Sequence, residues 1–258
     1  MQWDPQQYAR YDNERNRPFF DLVGQVGATD PASVVDLGCG PGELTVTLAQ
    51  RWPSAQVRGL DSSPEMIART AEYTSDSVHF ELADAASFSA VGVDVVVSNA
   101  LLQWVPEHQP LLTRWASELN DGGWLAFQVP DNFTSPSHVL MRELAESPRW
   151  AAQLSGVLRH ADAVAPVEDY LALLADSGLR VNAWQTSYQH VLAGDDPVLE
   201  WVRGTGLRPV LATLSADDAA EFEATYAAQL RSAYPQREFG TVFPFRRTFV
   251  VASKGDSK

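Results

Sequence analysis

The segment from position 34 to 42 constrains the fold more than any other stretch of the sequence. It reads VVDLGCGPG, so two β-branched residues lead to Asp36, and glycine then recurs at every second position. Leu44, Leu48 and Trp52 follow at the four-residue spacing of one helix face. The pattern predicts a buried strand, a glycine turn and a helix whose free N–H groups and positive dipole end can face a ligand.

The spacing of the glycines narrows the choice of ligand. A dinucleotide-binding turn has the spacing G-x-G-x-x-G, whereas here the third glycine comes one residue early and Glu43 stands in its place. Asp36 lies two residues before the first glycine, where a carboxylate suits a cationic ligand better than a pyrophosphate. This arrangement resembles the first motif of class I methyltransferases that use S-adenosylmethionine (AdoMet). An ordinary glycine turn of another α/β fold is the alternative.

Polar residues follow three further predicted strands at their carboxyl ends. Asp61 comes 19 positions after Gly42, a spacing that places its carboxylate where it can accept both hydroxyls of a ribose. Asp84 follows a predicted strand over 78–82, and Asn99 follows one over 93–98. Because parallel strands end at one edge of a sheet, these side chains are expected to converge. The predicted cofactor-binding residues are Asp36, Gly38, Cys39, Gly40, Asp61, Ser62, Met66, Asp84, Ala85, Asn99 and Trp104.

The remaining strands complete the prediction of the fold class. We expect strands over 57–60, 124–129, 179–188 and 248–252, in addition to those already described. The fold class is α/β, a Rossmann-like, seven-stranded, mostly parallel sheet with helices on both faces and an antiparallel last strand. The chain is predicted to be one domain over 1–258. Its N-terminal helices (1–30) and two helical insertions (134–170 and 194–240) are expected to form a cap.

Composition limits the partners and the compartment. The chain has 258 residues and a net charge of −14, which argues against nucleic acid or an anionic membrane as a partner. Cys39 is the single cysteine, so an intramolecular disulfide is impossible. Neither a signal peptide nor a run of about 20 apolar residues is found, so we expect a cytoplasmic protein. The choice between monomer and homodimer stays open.

Narrower motifs across the whole chain resemble one family, the trans-aconitate 2-methyltransferases. The first motif is generic to the AdoMet superfamily, whereas the Pro-Asp-Asn, His-Val-Leu-Met-Arg and Gly-Leu-Arg-Pro elements are more specific. The matching elements are Trp3-Asp4-Pro5, Asp36 to Gly42, Asp61-Ser62-Ser63-Pro64, Leu102-Gln103-Trp104, Pro130-Asp131-Asn132, His138-Val139-Leu140-Met141-Arg142, Trp201 and Gly206-Leu207-Arg208-Pro209.

This resemblance implies methyl transfer from AdoMet to a carboxylate of a small anionic tricarboxylate, trans-aconitate. A carboxylate is already ionised at pH 7, so we expect no catalytic base, no metal and catalysis by positioning alone. Arginines are the natural clamp for the other carboxylates. Trp104 is expected to wall the methyl-transfer slot. The candidate substrate-binding residues are Tyr11, Arg17, Asn132, His138, Arg142, Tyr188, His190, Arg208, Arg246 and Arg247.

Several alternatives remain open at this stage. Strand alternation predicts that only one of Arg246 and Arg247 faces inward, and Arg142 could pair with Glu146 along one helix. The acceptor could be another small carboxylic acid or an acyl-chain acid. Two other classes are a nicotinamide-dependent oxidoreductase, which the glycine spacing disfavours, and a non-catalytic AdoMet-binding partner protein.

Overall fold

A central mixed sheet organises the computed structural model, which describes residues 12–158 and 163–255. Its strands are β1 (Ser33–Leu37), β2 (Gln56–Asp61), β3 (Val78–Leu82), β4 (Val95–Asn99), β5 (Trp124–Pro130), β6 (Leu179–Leu192), β7 (Gln236–Arg237) and β8 (Gly240–Lys254). The strand order is β3-β2-β1-β4-β5-β8-β6, and the two-residue β7 pairs with β8 outside this path. The main path therefore contains the seven strands expected from the sequence.

The first five strands are parallel, and the direction changes only at the C-terminal edge. Strands β1 to β5 pair in parallel with their neighbours. Strand β8 is antiparallel to both β5 and β6 and lies between them. The predicted antiparallel last strand is confirmed. Strands β6 and β8 extend well beyond their predicted limits, to 14 and 15 residues, and this long antiparallel pair reaches from the sheet into the cap.

Helices cover both faces of the sheet and build the cap. They are α1 (Asp12–Val23), α2 (Glu43–Arg51), α3 (Pro64–Arg69), α4 (Gln109–Glu118), α5 (Pro136–Ala145), α6 (Ala151–Leu154), α7 (Val167–Asp176), α8 (Pro197–Arg203), α9 (Arg208–Thr213) and α10 (Ala216–Ala233). Strand alternation sends successive side chains of each strand to opposite faces, which gives the sheet two apolar layers. Helices α1 and α2 contribute Phe19 and Leu48 to one layer, and α4 and α7 contribute Trp115 and Tyr170 to the other.

The cap has an apolar core of its own. Helices α5, α6, α8, α9 and α10 pack with the outer ends of β6 and β8 around buried residues that include Trp150, Trp201, Phe222 and Phe243. Tyr226 of α10 and Tyr234, the residue that follows this helix, both bond to the start of α5. Tyr226 Oη donates to the Ser137 carbonyl at 2.7 Å, and Tyr234 Oη accepts from the Ser137 N–H at 3.0 Å.

Two boundaries of the predicted cap need correction. The 134–170 insertion runs into α7, whose Tyr170 and Leu174 are buried against the sheet and not in the cap. The described part of the N-terminal segment also packs on the sheet, since Phe19 and Leu22 of α1 are fully buried beside Val34 and Ala126. In both cases the apolar face of the helix packs on the sheet and not on the cap helices. Within the described ranges, no helix is long and apolar enough to cross a bilayer.

Candidate active site

The glycine turn after β1 has the conformation that its sequence predicts. Gly38 has φ +77°, and a Cβ atom there would lie 2.9 Å from Leu101 Cβ, so both the backbone and the packing require glycine. Gly40 has φ +57°, and open space surrounds the position where its Cβ would be. The turn is held against β2, because the N–H groups of Gly38 and Cys39 donate to the Leu60 carbonyl at 2.8 and 3.1 Å.

Asp61 lies at the end of β2 with its carboxylate held by backbone donors. Its Oδ2 accepts from the Gly40 N–H at 2.9 Å, and its Oδ1 accepts from the Ser63 N–H at 2.8 Å. A carboxylate has about four lone-pair sites, so two further donors can be accepted. The residue is partly exposed. This geometry supplies a fixed acceptor for a pair of hydroxyl groups.

The ends of β1, β2 and β3 enclose a cavity of about 360 Å³, which we call the strand-end crevice. Six predicted cofactor-binding residues line it: Gly38, Asp61, Ser62, Asp84, Ala85 and Trp104. Its other lining residues are mostly apolar: Leu37, Leu60, Ala83, Ala86, Leu101, Val105 and Pro106. Asp84 Oδ1 accepts from the Ala86 N–H at 2.9 Å, which shapes the backbone at this edge. Cys39, Gly40 and Met66 are not among the lining residues.

Asp36 is buried directly behind the glycine turn. Its Oδ2 accepts from Thr45 Oγ1 at 2.6 Å, whereas its Oδ1 has no hydrogen-bond partner among the described residues. Burial raises the pKa of the Asp36 carboxyl to about 7, and the nearby Asp61 charge adds to the increase. Asp36 does not line the strand-end crevice. A cation bound near the turn would favour its ionised form.

A second cavity of about 130 Å³, which we call the cap cavity, opens between the sheet edge and the cap. Its lining residues are Asn99, Ala100, Gln103, Trp104, Pro130, Asn132, Phe133, His138, Met141, Arg142, Leu158, Trp201, Thr205, Gly206, Pro209, Phe245 and Arg247. Trp104 lines both cavities, so this residue lies at the boundary between them. The structure places Asn99 in the cap cavity and not in the strand-end crevice, where the sequence analysis put it.

Two arginines project into the cap cavity from different elements. Arg247 of β8 is buried, donates from Nη1 to Gln128 Oε1 at 3.0 Å and lies with its guanidinium carbon 5.0 Å from the Phe245 ring centre. Arg142 of α5 donates from Nη2 to the Phe133 carbonyl at 2.6 Å. The cavity therefore combines guanidinium groups with aromatic walls, which suits an anion that must lose water.

Asn132 and His138 also line the cap cavity, but each makes structural contacts. Asn132 is buried, and its amide pairs with the Arg246 backbone, donating at 2.9 Å and accepting at 2.8 Å. These bonds fasten the start of the cap to β8. His138 packs edge-on against the Phe133 ring, with ring centres 5.8 Å apart. Asn132 is thus a structural link, whereas His138 presents a polar ring to the cavity.

Arg17, Tyr188 and Arg246 are candidate substrate residues that the structure places elsewhere. Tyr188 Oη donates to Asp21 at 2.7 Å inside the sheet layer, and burial raises the pKa of this phenol. Arg17 is mostly exposed, pairs with Asp21 and lies over the Tyr188 ring. Arg246 points to the opposite face of β8 from Arg247 and pairs with Asp131 at 3.0 Å. The predicted alternation of the two arginines is confirmed, and Arg247 is the inward member.

His190, Arg208 and Tyr11 complete the list of candidates. The His190 ring stacks on Trp201 with centres 4.8 Å apart, so it lies behind the cavity wall and not in the lining. Arg208 begins α9 and does not line the cavity, although Gly206 and Pro209 on either side of it do. Tyr11 lies outside the described residues. Four of the predicted substrate residues thus line the cap cavity: Asn132, His138, Arg142 and Arg247.

The apolar lining of the cap cavity was not predicted from the sequence. Phe133, Met141, Trp201 and Phe245 come from four different elements or loops. Met141, Trp201 and Phe245 lie in helices or a strand that also bury apolar side chains in the core, so nothing local distinguishes a cavity wall from core packing. At the strand ends, by contrast, a carboxylate or an amide interrupts the apolar pattern, and this interruption can be recognised in the sequence.

The site supports positioning and electrostatic chemistry more readily than nucleophilic chemistry. Burial and the neighbouring carboxylates raise the pKa of the Cys39 thiol, which keeps it protonated at neutral pH. Over residues 12–158 and 163–255, no cluster of His, Cys, Asp or Glu has the arrangement of a metal site. The charged side chains that line the two cavities are the carboxylates of Asp61 and Asp84 in the strand-end crevice and the guanidinium groups of Arg142 and Arg247 in the cap cavity.

Solved structures with the same fold are methyltransferases and related proteins. The chain superposes on the YcgJ protein of Bacillus subtilis with a TM-score of 0.58 at 14% identity, over 94% of this chain and 100% of the other. It also superposes on phosphoethanolamine N-methyltransferase 2 of Haemonchus contortus, solved with S-adenosylhomocysteine, with a TM-score of 0.55 at 15% identity. That match covers 93% of this chain and 53% of the other. At these identities the likeness establishes the fold alone.

Sequence comparisons are more specific. Residues 34–123, which contain the glycine turn and the strand ends, match the family model of the methyltransferase domain. The trans-aconitate 2-methyltransferase of Streptomyces avermitilis is 53% identical over 260 aligned residues, which cover 98% of this chain and 97% of that enzyme. Identity at this level over both full lengths means that the chain belongs to the trans-aconitate 2-methyltransferase family.

Proposed function

We propose that this protein transfers the methyl group of AdoMet to a carboxylate of trans-aconitate, giving the monomethyl ester and S-adenosylhomocysteine. One observation carries the assignment beyond family membership. A crevice lined with carboxylates and a cavity lined with arginines share one lining residue, Trp104. A cationic donor and an anionic acceptor would each find the complementary charge and would meet at that residue.

The strand-end crevice fits the cofactor. Asp61 offers its remaining lone pairs to the ribose hydroxyls, and Asp84 and Ala85 border the space for the base. Asp36 Oδ1, which is buried and has no partner among the described residues, fits a positively charged group beside the glycine turn. When bound, AdoMet supplies an electrophilic methyl group on a sulfonium sulfur.

The cap cavity fits the acceptor acid. Arg142 and Arg247 can each bind a carboxylate by two parallel hydrogen bonds, and His138 can contribute a third polar contact. Phe133, Trp201 and other apolar side chains keep water away from the reacting oxygen. Fixed orientation of the two reactants can lower the barrier by several kcal/mol.

No general acid or base is needed for this reaction. A carboxylate oxygen attacks the methyl carbon, the carbon–sulfur bond breaks, and its electron pair stays on sulfur. The acceptor is already ionised at neutral pH, so no proton is taken up or released. The two opposite charges are neutralised as the bond forms, which favours a water-poor site.

The assignment is tested by incubating the purified protein with methyl-labelled AdoMet and a panel of acids. The panel contains trans-aconitate, its cis isomer, a saturated tricarboxylate, a dicarboxylate and a medium-chain acyl acid. We expect a labelled monomethyl ester with trans-aconitate at the highest kcat/KM, measured by mass spectrometry. A higher kcat/KM with the acyl acid would move the acceptor to another class, and no ester from any acid would refute the carboxyl methyltransferase assignment.

A further inference from the structure

Three polar side chains form a row across the sheet beneath the cap cavity. Asn99 of β4 lies directly opposite Gln128 of β5, and Gln128 lies opposite Phe249 of β8. Arg247 is two residues from Phe249 along β8, so it shares the face of Gln128. One step further into the sheet, the same face is apolar and carries Val97 and Ala126. The row therefore lies at the boundary between the apolar layer of the sheet and the cap cavity.

Donor and acceptor chemistry orients the whole row. Arginine can only donate, so the Gln128 oxygen must face Arg247, and the Nη1···Oε1 distance is 3.0 Å. The Gln128 nitrogen then faces Asn99 and donates to Asn99 Oδ1 at 2.6 Å. With its oxygen occupied, Asn99 turns its amide nitrogen away from Gln128. Because Asn99 lines the cap cavity, the group that it offers there is a hydrogen-bond donor.

The backbone at the tip of β4 is anchored to the same glutamine. Ala100 has φ +55°, a left-handed conformation that costs energy for a residue with a Cβ. Its N–H donates to the Gln128 carbonyl at 3.0 Å, and its carbonyl accepts from Gln103 Nε2 at 2.6 Å. Gln128 therefore holds this tip through both its main chain and its side chain.

We propose that Gln128 is a positioning residue for the acceptor acid. Its side chain is fully buried, so it acts through the two residues that it orients and not by contact. It turns the Asn99 amide N–H groups and the Arg247 guanidinium toward one carboxylate of the acceptor. These donors bind the oxygen that is not methylated, which leaves a lone pair of the attacking oxygen free. This inference rests on the proposed function of the cap cavity.

A neutral amide is the side chain that this role requires. Glutamate at position 128 would pair with Arg247 as an anion and would offer only acceptors to Asn99. The Asn99 amide would then turn over and present its oxygen to the acceptor carboxylate, which it would repel. Methionine has a similar length but no polar atoms, so it would release both neighbours without reversing either of them.

The test uses the full-length protein and the variants Gln128→Glu and Gln128→Met. We expect the KM for trans-aconitate to rise about 100-fold in Gln128→Glu and about tenfold in Gln128→Met, with the affinity for S-adenosylhomocysteine changed less than about twofold. Ser98→Ala is the matched control, because Ser98 is buried in β4 beside Asn99 and projects to the opposite face of the sheet. Its kinetic constants should match those of the wild type.

A second experiment distinguishes a positioning role of Gln128 from general damage to the fold, by adding Gln128→Met to a variant that already lacks both of its partners. In a background of Asn99→Ala and Arg247→Met, the change Gln128→Met should have no further effect on acid binding to the complex with S-adenosylhomocysteine, measured by calorimetry. Equal losses of acid and cofactor binding, or an undiminished effect in that background, would overturn the positioning role. A wild-type protein that esterifies no acid would instead refute the proposed function.

Discussion

The strand-end crevice and the cap cavity are built from the chain in opposite ways. The crevice takes its lining from residues 37–106, the ends of consecutive strands and the loops that follow them. The cap cavity joins segments that are far apart in sequence, and the hydrogen bond between Gln128 and Arg247 spans 119 positions. The first arrangement is a property of the parallel sheet, whereas the second exists only after the long antiparallel pair of β6 and β8 has packed with the cap helices.

The strand-end crevice and the cap cavity also differ in the charge of the side chains that line them. Asp61 and Asp84 line the strand-end crevice, and Asp36 is buried behind the glycine turn, whereas Arg142 and Arg247 line the cap cavity. A chain with net charge −14 can hold an anionic acceptor because two of its arginines line this one cavity. Four substitutions test this division, the first through stability and the other three through the binding of cofactor or acid.

The largest expected effect is on the free energy of unfolding, and it follows from the substitution Asp36→Asn. The native carboxyl keeps its proton up to about pH 7, whereas the unfolded carboxyl loses it near pH 3.8. Between these values a rise in pH ionises only the unfolded chain, so the free energy of unfolding falls by about 1.4 kcal/mol per pH unit. Relative to wild type, Asp36→Asn should gain on the order of 4 kcal/mol between pH 4 and pH 7, measured by urea unfolding. Parallel pH profiles of the two proteins would contradict this assignment.

Asp61→Ala should abolish most cofactor binding while leaving the cap cavity intact. The substitution removes the ribose acceptor and the partner of the Gly40 and Ser63 N–H groups. We expect the affinity for S-adenosylhomocysteine to fall about 100-fold, measured by calorimetry. Glu65→Ala is the matched control, since Glu65 is an exposed carboxylate four positions along the chain. Full binding by the Asp61 variant would remove the ribose assignment.

Arg247→Met should act on the acceptor alone. Loss of a buried guanidinium that binds a carboxylate should raise the KM for trans-aconitate about 50-fold, with cofactor affinity unchanged. Arg246→Met offers a close control, because Arg246 precedes it in β8, projects to the other face and pairs with Asp131. The KM of each variant for trans-aconitate is measured by steady-state kinetics. Equal KM values for the two variants would exclude Arg247 from the acceptor site.

A smaller effect is expected for Arg142→Met. Arg142 is partly exposed and already donates to the Phe133 carbonyl, so fewer of its hydrogen-bond donors are available to the acid. The KM for trans-aconitate should rise about tenfold. Arg149→Met provides the comparison, because Arg149 pairs with Asp218 and Glu221 on the surface of the cap. A decrease in cofactor affinity in the Arg142 variant would show that the two regions are not independent.

The crevice could be read from the sequence because its signals are local. Asp36, the alternating glycines and Asp61 occur at fixed distances from strand ends, and the parallel sheet brings strand ends together whatever surrounds them. The same rule located Asp84 and Ala85. The convergence of strand ends did not predict the position of Asn99. The end of β4 lies near both regions, and only the packed cap shows that Asn99 lines the cap cavity.

The acceptor cavity could be predicted only as a list of candidates. Sequence alternation showed that Arg246 and Arg247 must face opposite ways, but only the pairing of Arg246 with Asp131 identifies the inward residue. Arg17 and Tyr188 are used in a contact network around Asp21 within the sheet layer. Gln128 has no pattern that would single it out, because its importance depends on two partners that are remote in sequence.

A crystal structure with both S-adenosylhomocysteine and trans-aconitate tests the central claim most directly. We predict that the nucleoside occupies the strand-end crevice with its ribose hydroxyls on the Asp61 carboxylate. We predict that the acid occupies the cap cavity, with one carboxylate beside Asn99, Arg247 and Trp104 and another against Arg142. An acid bound outside the cap cavity, or one whose carboxylates contact neither arginine, would contradict the account.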